Sequence, residues 1–424
     1  MFTTYADVLA HLHHLGLFHM DFGLHRMHSA LNKLGLLQPP CPIVQVLGTN
    51  GKGSTSTFLA SLGQVHSLKT GLYTSPHFIS PAERIRIDGM PLPEALWPAL
   101  GNQVMAANSD LTYFEFLTVL ALLAFREQET DLIIMEAGLG GAHDATTAIF
   151  TNLMCYTPIG MDHMAILGDT LAAIASDKAG AIRGNAPVVT APQEADALAC
   201  LRSTCRLHQA RLVETGDAAL REISGMELGL AGPHQRVNAA VALSAWRILH
   251  DICRLPYSLP AVRKGLAQAF LPGRLQQCKA RCSLPALWLD GAHNEHGMRA
   301  LVAALQEAET RPAAVIFSCL KDKDWQGMCR LLLEAAGTES PLIIPAIHNE
   351  RAADNTALAA LLRELGAQDV RVTPDISVAV SLLDAIPKHN APVLICGSLY
   401  LLSEFYTLFP QYLRPARRQT EACS

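Results

Sequence analysis

A strand, a glycine turn and a helix follow one another near the N-terminus and set the first limit on the fold. Ile43-Val44-Gln45-Val46-Leu47 runs straight into Gly48-Thr49-Asn50-Gly51-Lys52-Gly53-Ser54, and Thr55 to His66 then carries apolar residues at helical spacing. An unbroken apolar run of this length, ended by glycine, reads as a buried strand. Strand, glycine turn, helix is the architecture of a phosphate loop. The glycines let backbone amides close on phosphate oxygens, Lys52 neutralises them, and Ser54 offers a hydroxyl to Mg²⁺. A plain glycine turn beside an exposed lysine is the simpler reading, and the flanking strand and helix weigh against it. The spacing departs from GxxxxGK[ST], because Gly53 separates Lys52 from the hydroxyl residue.

A second buried strand, Leu132-Ile133-Ile134-Met135, enters Glu136 and then Gly138-Leu139-Gly140-Gly141. Strand-like runs alternate with helical stretches through this half, which predicts a parallel α/β sheet. Glu136 falls at the carboxyl end of its strand, where open α/β sheets place ligands. A carboxylate there, across a phosphate from Ser54, is a candidate Mg²⁺ ligand. The clearest boundary is Leu271-Pro272-Gly273-Arg274, followed by a less regular stretch to Pro285. Strands then alternate with helices again: Ala286–Leu289, Ala314–Phe317, Leu342–Ile344, Val370–Val372 and Val393–Cys396. The expected fold is α/β, a P-loop NTPase-like parallel-sheet domain over residues 1–273 followed by a smaller Rossmann-like α/β domain over 274–424. No GxGxxG opens the second domain, so dinucleotide binding there is unsupported.

With 424 residues, two or three domains are expected, and 50% hydrophobic content supplies a sizeable core. A net charge of -5 argues against a general nucleic-acid binder. The longest apolar stretch, Phe116 to Phe125, is about half a membrane span, so no membrane helix is expected. The start, MFTTYADVLAHLHHLGLF, lacks a basic n-region and reads as an amphipathic helix. The 11 cysteines never form CxxC, which suits buried thiols in a reducing cytoplasm. Cys278 and Cys282 lack a second pair for zinc. His11, His13, His14, His19, His25 and His28 are irregularly spaced and read as surface or core-edge residues.

Gly48 to Ser54 resembles the phosphate loop of the Mur ligase superfamily, in the form found in its folylpolyglutamate synthase/dihydrofolate synthase branch. Further segments match that branch in order: Asp21-Phe22-Gly23-Leu24-His25-Arg26-Met27, Tyr73-Thr74-Ser75-Pro76-His77, Glu83-Arg84-Ile85-Arg86 and Thr112-Tyr113-Phe114-Glu115. Asp162-His163, Lys178-Ala179-Gly180, His234-Gln235 with Asn238, Pro272-Gly273-Arg274, Asp290-Gly291-Ala292-His293-Asn294, Lys321-Asp322-Lys323-Asp324 and Cys396-Gly397-Ser398 complete the series. The resemblance implies an ATP- and Mg²⁺-dependent ligase that joins L-glutamate to dihydropteroate, and to reduced folates, through an acyl phosphate. It also implies a monomer; with the thiols, the charge and the apolar run lengths, the expectation is a cytoplasmic protein with no nucleic-acid or membrane partner.

By the same resemblance, Asn50, Gly51, Lys52, Gly53, Ser54, Asn238, Arg274 and Asp290 would bind ATP. Ser54 and Glu136 would hold one Mg²⁺, and Ser75, Glu136 and His163 a second, with Lys178 carbamylated to support it. Lys52, Lys178 and His163 would act in catalysis. Without the resemblance, His163 reads as a structural histidine and Lys178 as a solvated helix residue. Asp21, Phe22, Arg84, Thr112, Tyr113, Phe114, Glu115 and Asp144 would contact the acyl substrate, and His293, Ser398 and Tyr400 the glutamate.

The chain departs from the branch where GLGGRLDATN is usual. It reads Gly138-Leu139-Gly140-Gly141-Ala142-His143-Asp144-Ala145-Thr146-Thr147. Ala142 and His143 in the acyl-substrate loop thus replace an arginine and its neighbour, and the loss of a bidentate donor usually weakens binding of a planar polar partner. His25 also stands where an acidic residue is commoner. Two alternatives stay open: a related amide ligase using a non-pterin acid, and a non-catalytic nucleotide-binding protein.

Overall fold

The computed structural model describes residues 1–16, 21, 23–281, 284–385 and 391–415. Phe22, His19 and Cys282 lie outside the described residues. The chain divides into two compact units. One comprises Met1–Leu228 with Arg236–Ala269, and the other Gly229–Gln235 with Phe270–Ser424.

The first unit is built on an eight-stranded sheet. Its strands are β1 (Ile43–Leu47), β2 (Thr70–Tyr73), β3 (Ile85–Ile87), β4 (Met90–Pro91), β5 (Leu132–Glu136), β6 (Leu153–Tyr156), β7 (Val188–Thr190) and β8 (Leu212–Glu214), in the order β4-β3-β2-β5-β1-β6-β7-β8. Pairing is parallel except at β2/β3 and β3/β4, so the expected parallel sheet gains an antiparallel edge. Every residue of β1 and β5 is buried, as strands covered on both faces require. Gln45 is the polar exception in β1. Its amide donates to the hydroxyls of Thr146 and Thr147 at 2.8 and 2.9 Å, which meets its hydrogen-bonding need inside the core.

The apolar stretch Phe116 to Phe125 belongs to the helix Tyr113–Glu127, buried along almost its whole length. Its capping box joins Thr112 to Glu115: each side chain engages the other's backbone amide. The N-terminal segment forms the helix Tyr5–Leu15, with Val8 and Leu12 buried. His11 lies against Phe2 and Phe116, with ring centroids 5.4 and 5.2 Å away, while His13, His14, His25 and His28 are exposed. No helix among the described residues is long and apolar enough to cross a membrane.

The second unit holds a six-stranded sheet, ordered β13-β12-β11-β14-β10-β9. Its strands are β9 (Gln276–Cys278), β10 (Leu287–Leu289), β11 (Ala314–Phe317), β12 (Leu342–Pro345), β13 (Val370–Thr373) and β14 (Val393–Cys396). Five of these follow the apolar runs read from the sequence. The sixth, β9, is an antiparallel edge strand within the stretch read as irregular. Its residues, Gln-Gln-Cys, give no apolar period. Polar bonds hold it instead: Gln276 accepts from the Gly273 amide and the Tyr406 hydroxyl, and donates to the Tyr412 carbonyl at 2.7 Å.

Candidate active site

The phosphate loop leaves the carboxyl end of β1, between β5 and β6. Gly48 has φ +133°, and a Cβ there would lie 2.0 Å from the Thr157 hydroxyl and 2.8 Å from the Thr157 carbonyl. Gly51 has φ +91° and lies against Asn238, which would be 2.3 Å from an added Cβ. The sequence reading of Asn238 as a nucleotide-side residue therefore coincides with its position on the loop. Thr49 ties the loop down, its amide donating to Pro158 and its hydroxyl to Gly160, both at 3.0 Å. The following helix, Lys52–Val65, starts at Lys52, so Gly53 and Ser54 fall in its first turn, where backbone amides face outward for an anion.

Two lysines converge on one carbonyl of this loop. Lys52 donates to the Gly48 and Thr49 carbonyls at 3.2 and 3.0 Å, and Lys178 donates to Gly48 at 3.0 Å. Lys178 sits on the helix Leu171–Ala179 and is only 4% exposed, so it is not the solvated residue its local sequence suggested. Burial, and then the neighbouring Lys52 ammonium, bring its amine down to about 7. Gly48, Thr49, Lys52, Ala137–Gly140, Asp162, His163 and Lys178 line a common cleft.

Glu136 is buried at the end of β5 and accepts from the Ser75 amide at 3.1 Å, which brings two expected metal ligands together. His163 adopts a left-handed backbone conformation, φ 52°, at the mouth of the cleft. Among the described residues, no three His, Cys, Asp or Glu side chains form a ready metal cluster. Hydroxyl and carboxylate oxygens from Ser54, Ser75 and Glu136 nonetheless fit Mg²⁺, which is bound by few protein carboxylates and completed by water and phosphate oxygens. Lys178 as a free amine does not fit that role; as a carbamate it does.

Arg84 is buried, donates to His77 Nδ1 at 2.8 Å and stands 5.5 Å from the centre of the Tyr113 ring. Burial, with Arg84 adding to it, holds His77 down at about 3, so that imidazole is neutral. Phe114 packs against Gly138 and lies 5.6 Å from the Tyr73 ring. Asp144 is buried and accepts from Gly138, Leu139 and Thr146 amides and from the Thr146 hydroxyl. It thereby shapes the loop 138–147; burial raises its carboxyl against those bonds.

The departures in this loop have local accounts. The Thr147 hydroxyl receives Gln45 and donates to Gly141 at 2.8 Å, doing the work of a polar side chain at that position. The Ala142 amide donates to the Asp177 carbonyl, and the Ala142 carbonyl receives the guanidinium of Arg183. A guanidinium thus reaches this corner from a different residue, one that sequence reading did not single out. His143 is exposed.

In the second unit, Asp290 is buried after β10 and accepts from the Leu275 and Ala292 amides at 2.7 and 2.8 Å. Burial raises its carboxyl, opposed by Arg274 and His234. Gly291 leaves room for Arg274, whose Nη1 would lie 2.5 Å from a Cβ there. His293 follows β10 with Nδ1 2.7 Å from the Gly291 carbonyl. Ser398 follows β14 and caps the helix Leu399–Leu408, accepting from the Tyr400 amide at 3.1 Å. Since β10 and β14 are neighbours, these residues share the carboxyl edge of the sheet.

A phosphate loop with two convergent lysines, and a second α/β unit, define an ATP-dependent ligase of the Mur type. Consistently, residues 273–399 match the family described as Mur ligase, glutamate ligase domain. The dihydrofolate synthase/folylpolyglutamate synthase of Bacillus subtilis is 34% identical over 440 residues, spanning 95% of this chain and 99% of that one. Among solved structures, E. coli FolC in complex with DHPP and ADP superposes with a TM-score of 0.83 at 29% identity, over 98% of this chain and 99% of that chain. The bifunctional folylpolyglutamate synthase/dihydrofolate synthase of Yersinia pestis, complexed with AMPPNP and Mn ion, gives 0.83 at 29% identity, over 96% and 98%. The chain belongs to the dihydrofolate synthase/folylpolyglutamate synthase family.

Proposed function

We propose that this protein joins L-glutamate to dihydropteroate, and further glutamate to reduced folates, at the expense of ATP, and that it works as a monomer in the cytoplasm. The observation that carries the reading is the meeting of Lys52 and Lys178 on the Gly48 carbonyl, in a cleft that Asp162 and His163 also line and in a chain that aligns with the family along almost its whole length. In this reading the acid's carboxylate attacks the γ-phosphate of ATP, forming an acyl phosphate and ADP. Lys52 exchanges its loop carbonyls for phosphate oxygens and follows the charge of the transferring group. The amine of glutamate then attacks the acyl carbon, and phosphate leaves from the tetrahedral intermediate.

Ser54 and Glu136, with Ser75, His163 and a carbamylated Lys178, are the residues that would hold Mg²⁺, which offsets the negative charge crowded on ATP and the acyl phosphate. A lysine brought down to about 7 is suited to carbamylation, because the neutral amine is the form that adds CO₂ and releases a proton. Thr112, Tyr113, Phe114, Arg84 and the loop through Ala142, His143 and Asp144 make the acyl-substrate side. Asn50, Gly51, Gly53, Asn238, Arg274 and Asp290 serve the nucleotide, and His293, Ser398 and Tyr400 the glutamate.

A second reading, in which a non-pterin acid is used, rests on Ala142 and His143. One experiment separates the two: ADP release with ATP, Mg²⁺ and L-glutamate, comparing dihydropteroate, tetrahydrofolate, other carboxylic acids and no acid. The proposal expects strong stimulation by dihydropteroate and a second response to tetrahydrofolate. Stimulation by a non-pterin acid alone would favour the second reading, and nucleotide binding with no acid-stimulated release would contradict both.

A further inference from the structure

Two carboxylates read from the sequence as substrate contacts, Asp21 and Glu115, meet on a single guanidinium. Arg26 is 7% exposed and Glu115 5%. Arg26 Nε donates to Glu115 Oε2 at 3.0 Å, and Nη2 to Oε1 at 3.1 Å, the fork that a guanidinium makes with a carboxylate. Its Nη1 reaches the Asp21 carboxylate and Nη2 the Asp21 carbonyl, each at 2.5 Å. Glu115 Oε2 also accepts from the Thr112 amide at 2.8 Å, closing the helix cap. Both Glu115 oxygens are therefore engaged inside the protein, and at 5% exposure the carboxylate has little surface left to offer a substrate.

The next residues along the cap face other groups. Tyr113 lies under Arg84, and Phe114 lies against Gly138 and Tyr73. A buried ion pair is seldom more stabilising than an apolar pair of the same size. What the fork adds is fixed geometry between two stretches of chain 89 residues apart.

We propose that Arg26 is a positioning residue for the acyl substrate: it fixes the chain at Asp21 to the cap of the helix Tyr113–Glu127, and so sets where Thr112, Tyr113 and Phe114 stand. The inference rests on the pterin-acid ligase reading. Glu115 acts in it through Arg26 and touches no substrate.

The test compares Arg26→Lys and Glu115→Gln with the unaltered enzyme, in steady-state assays that vary dihydropteroate and ATP separately, alongside thermal melts. Lysine keeps the charge and loses the fork, so the KM for dihydropteroate should rise about tenfold, the loss of one good charged contact. The KM for ATP should stay within about twofold, and kcat within about threefold. Glu115→Gln keeps the shape and should shift the same constant in the same direction by less. It also serves if Arg26→Lys fails to fold. The double variant should do no worse than Arg26→Lys alone, because both changes break one link. Folded variants with an unchanged KM for dihydropteroate would overturn the inference. So would a uniform loss in both KM values and kcat that follows the melting temperature. An unaltered enzyme that ignores every pterin acid would fail before any variant is compared, and would sink the ligase reading and this inference with it.

Discussion

Replacing Lys178 with alanine should lower turnover by roughly a hundred- to a thousand-fold, the scale seen when one group that stabilises transition-state charge is removed, while ATP affinity changes little. The asymmetry follows from the geometry. The Gly48 carbonyl keeps its bond from Lys52, and the loop amides and Ser54 remain in the first turn of their helix, so the nucleotide still has its cradle. What disappears is the buried nitrogen that would carry the carbamate. Formate, acetate or bicarbonate at high concentration should then restore part of the activity, since a small carboxylate can occupy the space of the lost anion. In the unaltered enzyme, removing dissolved CO₂ should lower activity, and restoring it should recover activity faster as pH rises through about 7, where the amine becomes neutral. Steady-state rates with and without added carboxylate, beside titration of a fluorescent ATP analogue, check these outcomes. Unchanged turnover in Lys178→Ala would rule out the carbamate role.

Gly48→Ala should weaken nucleotide binding at least a hundredfold. A backbone held at φ +133° costs a non-glycine residue about 1–3 kcal/mol. The added Cβ would also lie 2.8 Å from the Thr157 backbone carbonyl, which cannot rotate away as a hydroxyl can. Relief requires the loop to part from the segment after β6, and the Thr49 amide bond to Pro158 goes with it. A thermal melt should show the strain as a lower midpoint, and titration with ATP should show at least a hundredfold loss of affinity, since the amides that would close on phosphate are displaced. Gly184→Ala is the control: nothing lies within 4 Å of its added Cβ, and both measurements should be unchanged. Normal ATP binding by Gly48→Ala would mean that the loop does not hold phosphate in the manner argued.

The parts of the fold that could be read from the sequence are those whose cause is local. The β1 run ends in glycine because the chain must turn over Thr157, and β11, β12 and β14 of the second unit appear as apolar runs because both of their faces are covered. The helix after the phosphate loop begins at Lys52, three residues before its apolar spacing does, because helix initiation at Gly51 leaves no apolar mark. Strand β9 escaped because its buried glutamine is satisfied by Tyr406 and Tyr412, far along the chain.

The same limit applies to the site. Lys178 reads as solvated in its own helix, and its burial comes from reaching Gly48, 130 residues earlier. Resemblance assigns Glu115 to the acyl substrate, and nothing near it in sequence announces its fork with Arg26, 89 residues earlier. Arg183 carries no local signal at all: only the folded loop sets it on the Ala142 carbonyl. Family resemblance supplied residue roles for which spacing and composition alone gave no warrant, above all for Lys178 and His163.

One oxygen atom of the acid reports on whether an acyl phosphate forms. Dihydropteroate labelled with ¹⁸O in its carboxylate is incubated with the enzyme, ATP, Mg²⁺ and L-glutamate, and the released phosphate is analysed by mass spectrometry. If the carboxylate attacks the γ-phosphate and glutamate then displaces phosphate, each phosphate carries one oxygen from the acid, and the amide product keeps the other. Phosphate free of ¹⁸O, released while ADP accumulates, would mean that water attacks ATP and that no acyl phosphate forms.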